Sequence, residues 1–190
     1  MKKLFVLTMF LAFSAVLFAQ VEVTKFLGIP VDGTRSEMIS KLKEKGFTSV
    51  PGTDMLEGEF NGNDVYVIVQ TNNRKVWRIG MFDTSGCDET QIKINFNNLC
   101  RQFEANPKYV GDGDQTIPED ERIRYGMSIY NKRYEGTFYQ KSQSVDLKED
   151  AGLTNRLVWF MIDEDTRNYG KYVIRMFYEN GYNQANGEDL

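Results

Sequence analysis

The chain contains no histidine, and this absence limits the chemistry that it can perform. Without histidine there can be no Ser-His or Cys-His nucleophile pair and no histidine metal site. Cys87 and Cys100 are the only cysteines, too few for a structural zinc site. The chain also has no nucleophile elbow and no glycine-rich dinucleotide loop. The sequence therefore predicts a protein that is not an enzyme and that uses no cofactor or metal.

Acidic residues leave two chemical alternatives open. Paired carboxylates can hydrolyse glycosides, so a carboxylate-based hydrolase is a weaker alternative, although 27 acidic residues bring some pair together by chance. Asp112, Asp114 and Glu121, in the loop GDGDQTIPEDE, are possible oxygen ligands for calcium. However, in a calcium loop that begins at Asp112, Thr116 would take the fifth position and the glycine expected after it is missing. A solvated acidic loop is the favoured interpretation.

The first 19 residues have the features of a signal peptide. Lys2 and Lys3 precede an apolar run over residues 4–19, which is short for a membrane span. Cleavage after Ala19 would leave Gln20 as the first residue, and an uncleaved N-terminal anchor is the alternative. No later apolar run has the length of a membrane helix. We expect an exported protein, periplasmic or extracellular, with no membrane span after cleavage.

The exported chain is acidic and large enough for one hydrophobic core. Loss of the two signal-peptide lysines takes the formal net charge from −4 to −6, which argues against a nucleic-acid partner. About 170 residues remain, enough to bury a sizeable core. The compartment permits a disulfide. However, a helix between Cys87 and Cys100 would hold their Cα atoms about 18 Å apart, so we expect two free, mostly buried thiols.

Residues 26–47 predict a turn followed by a capped helix. Thr34 and Glu37 have the spacing of a capping box. Gly46 and Phe47 have the types that close a helix with a left-handed residue and a hydrophobic contact. The apolar side chains between these signals recur at helical spacing and are Met38, Ile39 and Leu42.

Three strands follow, predicted over residues 55–60, 65–70 and 76–82, with a tight Asn61-Gly62 turn between the first two. By alternation Trp77, Ile79 and Met81 share one face. This half of the chain, residues 20–83, therefore predicts one helix followed by an antiparallel meander.

A second helix is predicted to begin at Asp88, with Gln91 completing a capping box. Its apolar face is Ile92, Phe96, Leu99 and Phe103. Strands are predicted over residues 122–130, 133–140, 157–163 and 171–178, with a polar, mobile connection over residues 141–155. The chain thus predicts an α+β, two-layer fold in which a helix followed by an antiparallel β-meander occurs twice. The halves are residues 20–83 and 84–179, before a frayed tail over residues 180–190.

The string GIPVDGT…MISKLKEKGF, followed by LEGEF-NG, is similar to the opening of a group of uncharacterised secreted bacterial proteins. The similarity covers residues 26–82. The order of elements also resembles the β-lactamase-inhibitor-protein-like fold, which the SmpA/OmlA outer-membrane assembly lipoproteins share. These resemblances imply protein binding across a sheet face. Membrane tethering does not carry over, because the chain lacks a lipobox cysteine. β-Lactamase inhibition does not carry over either, because no inhibitor contact residue matches.

One face of the predicted sheet collects aromatic residues, methionine and arginine, the types enriched where proteins bind proteins. By alternation its members are Tyr66, Arg78, Phe82, Tyr130, Arg133, Tyr139, Trp159, Met161, Arg175 and Phe177. We expect Gly80, Gly126 and Gly136, inside strands, to let the sheet bend. The alternative is that this face is covered and its aromatics are core, since a one-residue register error swaps the faces.

The function predicted from these features is an exported, non-enzymatic binding module whose partner is an unidentified protein in the envelope or outside the cell. The partner-binding residues would be Tyr66, Arg78, Tyr130, Tyr139, Trp159 and Arg175. The alternative is a glycan- or small-ligand-binding protein, in which Trp159 and tyrosines stack on sugar rings. Aromatics around a deep pocket would favour that alternative, whereas a broad aromatic face would favour a protein partner.

Overall fold

The computed structural model of the protein describes residues 21–185. Over that range the fold is α+β, with three α-helices, an eight-stranded antiparallel sheet and a separate two-stranded hairpin. The predicted fold class is therefore confirmed. The predicted signal peptide and its cleavage point lie outside the described residues, as do residues 186–190 of the predicted tail.

The elements follow one another with short connections. In chain order they are β1 (Lys25–Phe26), β2 (Ile29–Pro30), α1 (Arg35–Glu44), β3 (Thr48–Ser49), β4 (Met55–Phe60), β5 (Asn63–Asn72), β6 (Lys75–Asp83), α2 (Glu89–Ala105), β7 (Tyr109–Gly111), α3 (Ile123–Tyr130), β8 (Glu135–Gln140), β9 (Arg156–Glu164) and β10 (Tyr172–Asn180). Short 3₁₀ turns occupy Leu147–Glu149, Leu153–Asn155 and Gly181–Asn183.

The large sheet joins two meanders edge to edge. Its strand order is β3-β4-β5-β6-β10-β9-β8-β7, and all neighbours are antiparallel. Strands β3 to β6 follow α1, and strands β7 to β10 follow α2, so β6 and β10 meet at the centre. No helix within residues 21–185 combines the length and apolar character needed to cross a lipid bilayer.

Helix α1 has the caps that its sequence predicts. Thr34 accepts a hydrogen bond from the Glu37 backbone, and the Glu37 carboxylate accepts one from the Thr34 backbone, so the capping box is complete. At the other end Gly46 has φ +99°, and the Phe47 amide donates to the Leu42 carbonyl at 3.2 Å. Phe47 and Leu42 are both buried. This is the predicted Schellman ending with its hydrophobic contact.

Helix α2 covers the second meander, but its predicted capping box is only half present. The Asp88 side chain accepts a hydrogen bond from the Gln91 backbone amide at 2.9 Å. The Gln91 side chain, however, donates to the Asn95 side chain. The apolar face meets the sheet through aromatic contacts, with Phe96 5.1 Å from Phe160 between ring centroids. One continuous core contains the buried residues of both helices and of the sheet face beneath them.

The predicted strand over residues 122–130 is wrong, because Ile123–Tyr130 form helix α3. Ile123, Tyr125, Met127 and Ile129 alternate as in a strand, but Ile123 and Met127 are also one helical turn apart. The structure uses the helical spacing: Ile123 is buried, Met127 packs against the core, and Tyr125 and Ile129 are exposed. Asn131, which lies between two predicted strands, instead ends the helix in the left-handed conformation, φ +50°.

A bulge in β6 changes the predicted face of Trp77. The register pairs Gln70 with Arg78 and Thr71 with Val76, so Trp77 has no partner across the ladder. Val76 takes the buried position, and Trp77 stays half-buried beside Arg78. The expectation that Trp77 shares a face with Ile79 and Met81 is therefore wrong.

Two predicted irregular segments are held by specific contacts. In the connection over residues 141–155, Asp150 pairs with Arg156, and both side chains are 4% exposed. At the end of β10 the Asn180 side chain donates to the Val31 carbonyl at 2.8 Å, and beyond β10 the Asn183 side chain donates to the Val76 carbonyl at 2.8 Å. The prediction of a frayed tail therefore fails over residues 180–183.

Candidate functional site

The sheet has one face covered by helices and a second face that no described element covers; we call the second the open face. It is built from alternate residues of the central strands: Tyr66, Ile68, Gln70, Arg78, Gly80, Phe82, Thr137, Tyr139, Leu157, Trp159, Met161, Arg175, Phe177 and Glu179. The bulge in β6 adds Trp77, which lies beside Arg78. The alternate residues between them, such as Val67, Ile79 and Phe160, are buried beneath the helices. Period-2 alternation therefore separates core from open face on each of these strands.

The first row across the open face contains Tyr66, Phe82, Arg175 and Met161, which are cross-strand partners in that order. The rings of Tyr66 and Phe82 are 5.5 Å apart between centroids, and the Arg175 guanidinium lies 5.9 Å from the Phe82 ring. Arg175 also forms an ion pair with Asp163 at 2.6 Å. Cross-strand contacts of this kind fix the side chains in place.

The second row pairs Gly80, Phe177, Trp159 and Thr137. Trp159 and Phe177 stack, with 4.3 Å between ring centroids and 26° between ring planes. A Cβ atom on Gly80 would be 3.4 Å from the Phe177 ring, so this glycine leaves room for the ring above it. The row therefore places one stacked aromatic pair at the centre of the sheet.

The third row pairs Arg78, Glu179, Leu157 and Tyr139. Glu179 accepts from the Arg78 guanidinium and from the Trp159 indole nitrogen, both at 2.6 Å. The Arg78 guanidinium also lies 4.1 Å from the Trp77 ring centroid and 5.0 Å from that of Phe177. One carboxylate thus binds both an arginine and a tryptophan side chain.

The exposure of the open face lies between that of a core and that of a polar surface. Its aromatic, aliphatic and arginine side chains are half-buried by their neighbours, with 22% exposure for Arg78 and 42% for Arg175. Glu179, at 7%, is buried beneath them. The face is therefore not sealed from solvent, and its charged groups are paired.

The structure places eight of the ten predicted face residues on the open face. They are Tyr66, Arg78, Phe82, Tyr139, Trp159, Met161, Arg175 and Phe177. Tyr130 is not among them, because it ends helix α3, where it is 69% exposed and contacts Tyr125 at 5.3 Å. Arg133 lies in the loop before β8 and pairs with Glu135. Both errors follow from predicting a strand over residues 122–130.

Sequence reasoning missed several members of the open face. Ile68 and Leu157 alternate with predicted members of the same strands, so strict alternation would have found them. Glu179 was missed because it lies one residue beyond the predicted strand over residues 171–178. Trp77 gave no such signal, because the bulge reverses its face.

The acidic loop does not gather its carboxylates. Asp114 accepts from the Thr116 backbone and hydroxyl, at 2.9 and 2.7 Å, and these bonds lower the pKa of its carboxyl group. The hydrogen bond from Tyr134 and the ammonium of Lys132 lower the pKa of Glu121. Across residues 21–185, no cluster of three or more cysteine or acidic side chains is placed to hold a metal ion.

The two cysteines are free, as predicted. Cys100 lies on α2 and is fully buried, and Cys87 is half-buried just before that helix. Burial raises the pKa of Cys87 to about 11 and that of Cys100 to about 12. Thiols with such pKa values are protonated at neutral pH and are poor nucleophiles.

Comparison of the chain with known protein families, characterised proteins and solved structures gave no match.

Proposed function

We propose that this protein is an exported, non-enzymatic interaction module that binds a protein partner, in the envelope or outside the cell, through the open face. The observation that carries the proposal is the continuous half-exposed layer of aromatic and arginine side chains over strands β5, β6, β10, β9 and β8. Tryptophan, tyrosine and arginine are the residue types that dominate binding energy in protein interfaces.

The side chains of the open face are held in place before any partner arrives. Trp159 is fixed by its stack on Phe177 and by its hydrogen bond to Glu179. Arg175 is paired with Asp163. Because ordering a long side chain on binding costs about 0.5–1.5 kcal/mol, a face that is already ordered loses less free energy on association.

The shape of the face favours a protein over a sugar. The aromatic rings are spread across five strands and are not gathered around a pocket, and one side of the Trp159 indole is covered by Phe177. A sugar-stacking site needs an exposed ring within a concave site. The glycan-binding alternative therefore has less support at the open face. The resemblance to the β-lactamase-inhibitor-protein-like fold stays a prediction, and it favours the same kind of surface.

The test is capture of proteins from envelope and culture-fluid extracts by the chain that begins at Gln20. We expect the variant Trp159→Ala with Arg175→Ala to lose capture of a protein that the unchanged chain retains. The paired substitutions remove the centre of the aromatic layer and one of its arginines. Both side chains are half-exposed, so the variant should still fold, as circular dichroism would show.

A matched control uses an aromatic–arginine pair elsewhere on the surface. Arg124 on α3 donates to the Tyr169 hydroxyl at 3.1 Å, and Tyr169 is 93% exposed. The variant Arg124→Ala with Tyr169→Ala should capture the same protein as the unchanged chain. Equal capture by both double variants would contradict the proposal, and so would capture lost only in the Arg124 and Tyr169 variant.

A further inference from the structure

A hollow of about 750 Å³ lies on the helix side of the sheet, away from the open face. The β1–β2 hairpin, the C-terminal half of α2 and the segment after β8 form its walls. Sites for small molecules typically have volumes of 300–1,000 Å³, so this hollow has the size of a ligand site.

The interior of the hollow is aromatic. Phe60 and Tyr178 meet edge to face at 6.3 Å, and Phe103 and Tyr109 meet edge to face at 4.7 Å between ring centroids. Leu99 of α2 completes the apolar lining. Such a surface suits an apolar chain or ring.

One apolar residue at the rim is held in an unfavourable backbone conformation. Leu27 and Gly28 form the turn of the β1–β2 hairpin, with φ +50° and φ +80°. A turn with two left-handed residues favours asparagine at its first position, and leucine is disfavoured there. Leu27 is also 38% exposed and lines the hollow. Backbone strain of this kind is found at ligand sites, where the side chain has a use that offsets its cost.

Positive charge surrounds this apolar interior. Lys25, Lys108 and Lys141 line the hollow, and none of them forms an ion pair with another described residue. The Lys141 amide donates to the Lys108 carbonyl at 2.9 Å, so these two lysines start from adjacent points of the backbone.

The remaining charges of the hollow are already engaged. The Arg156 guanidinium is neutralised by Asp150. Glu22 is the one acidic side chain in the lining; hydrogen bonds from the Ser142 hydroxyl and the Gln143 backbone amide, together with the charge of Lys25, lower its pKa, so it offsets one of the three lysine charges. The hollow therefore has a net positive charge although the whole chain has a net negative charge. A local positive charge of this kind attracts anions.

From the aromatic interior, the strained leucine and the three lysines we infer that this hollow binds a small amphipathic anion, an apolar chain or ring that carries one anionic head group. The tail would lie against Phe60, Phe103 and Tyr178, and the head would meet Lys108 and Lys141. This activity is separate from the open face.

The test compares three probes with the same chain length by isothermal titration calorimetry: dodecanoate, dodecanol and dodecylamine. We expect dodecanoate to bind with one-to-one stoichiometry, dodecanol to bind at least fivefold more weakly, and dodecylamine to show no binding. Equal affinity for the acid and the alcohol, or preference for the amine, would overturn the inference.

Two variants locate the binding site. Lys108→Gln with Lys141→Gln should lower dodecanoate affinity about tenfold, the loss expected for one charge-assisted contact. Leu27→Asn should lower affinity while leaving the thermal midpoint unchanged or raised, because asparagine suits the turn. Unchanged affinity in either variant would place the anion elsewhere. The Trp159→Ala, Arg175→Ala protein should bind dodecanoate normally, which separates this result from the test of the open face.

Discussion

Two glycines in the sheet show that the core face and the open face leave different amounts of room for an added Cβ atom. Gly136 lies opposite Phe160 on the core face, and a Cβ atom there would be 2.5 Å from the ring. Gly80 lies opposite Phe177 on the open face, where the corresponding distance is 3.4 Å. These glycines were predicted to permit bends; in the structure they also make room for aromatic rings. Gly126, predicted in a strand, lies in α3.

Gly136→Ala should destabilise the protein by about 1–3 kcal/mol, the usual range for an overpacked core. Phe160 is unable to move aside, because its ring stacks with those of Phe103 and Phe138. The matched change Gly80→Ala meets a half-exposed ring at an ordinary contact distance, so its effect should stay within about 0.5 kcal/mol. Urea unfolding measures both free energies. Equal losses would show that the open face is as tightly packed as the core.

The thiols should make the protein less stable in alkali. Their folded pKa values, about 11 for Cys87 and about 12 for Cys100, are above the ordinary value of 9.0. The folded state therefore keeps these protons longer than the unfolded state. The stabilising contribution is complete below pH 9 and declines as the pH rises from 9 through 11 and 12.

Urea unfolding at a series of pH values would measure this decline, and Cys100→Ala should reduce its slope. In the native protein at pH 8, we also expect iodoacetamide to modify Cys100 far more slowly than in urea. Rapid modification of Cys100 in the native state would contradict its burial.

At the scale of elements, the sequence correctly predicted the features that depend only on neighbouring residues. Thr34, Glu37, Gly46 and Asp88 marked helix ends correctly, because capping depends on residues within one turn. The segment over residues 122–130 was ambiguous, since its apolar residues fit both a strand and a helix. Only contact with α2 and the rest of the core resolves such a pattern, and those contacts are distant in sequence.

The junction of β6 with β10 should be the most protected part of the backbone. These strands are central in the sheet and pair over five positions, from Arg175 with Phe82 to Glu179 with Arg78. We expect their amides to exchange slowest with deuterium, and the two-residue edge strand β3 to exchange early. Mass spectrometry after timed exchange would show this. Separate exchange of the first and second meanders would show that they unfold as independent units.

At the scale of the whole molecule, the α+β class and the open face could be predicted because strand alternation and helical periodicity can be recognised within short segments of the sequence. The hollow on the helix side could not. Its lining extends from Glu22 to Tyr178, and only the closed fold brings those residues together. The same limit applies to the strand order, in which β6 meets β10 across almost a hundred residues of chain.

The central claim is that the open face is accessible and is the surface that a partner covers. Hydroxyl-radical labelling of the protein, alone and with the captured partner, tests it directly. In the free protein, Trp159 and Met161 should be oxidised while buried Met38 and Met176 are spared. With the partner bound, oxidation of Trp159 and Met161 should fall while that of exposed Tyr169 stays the same. Unchanged oxidation of Trp159 and Met161 in the complex would contradict the claim.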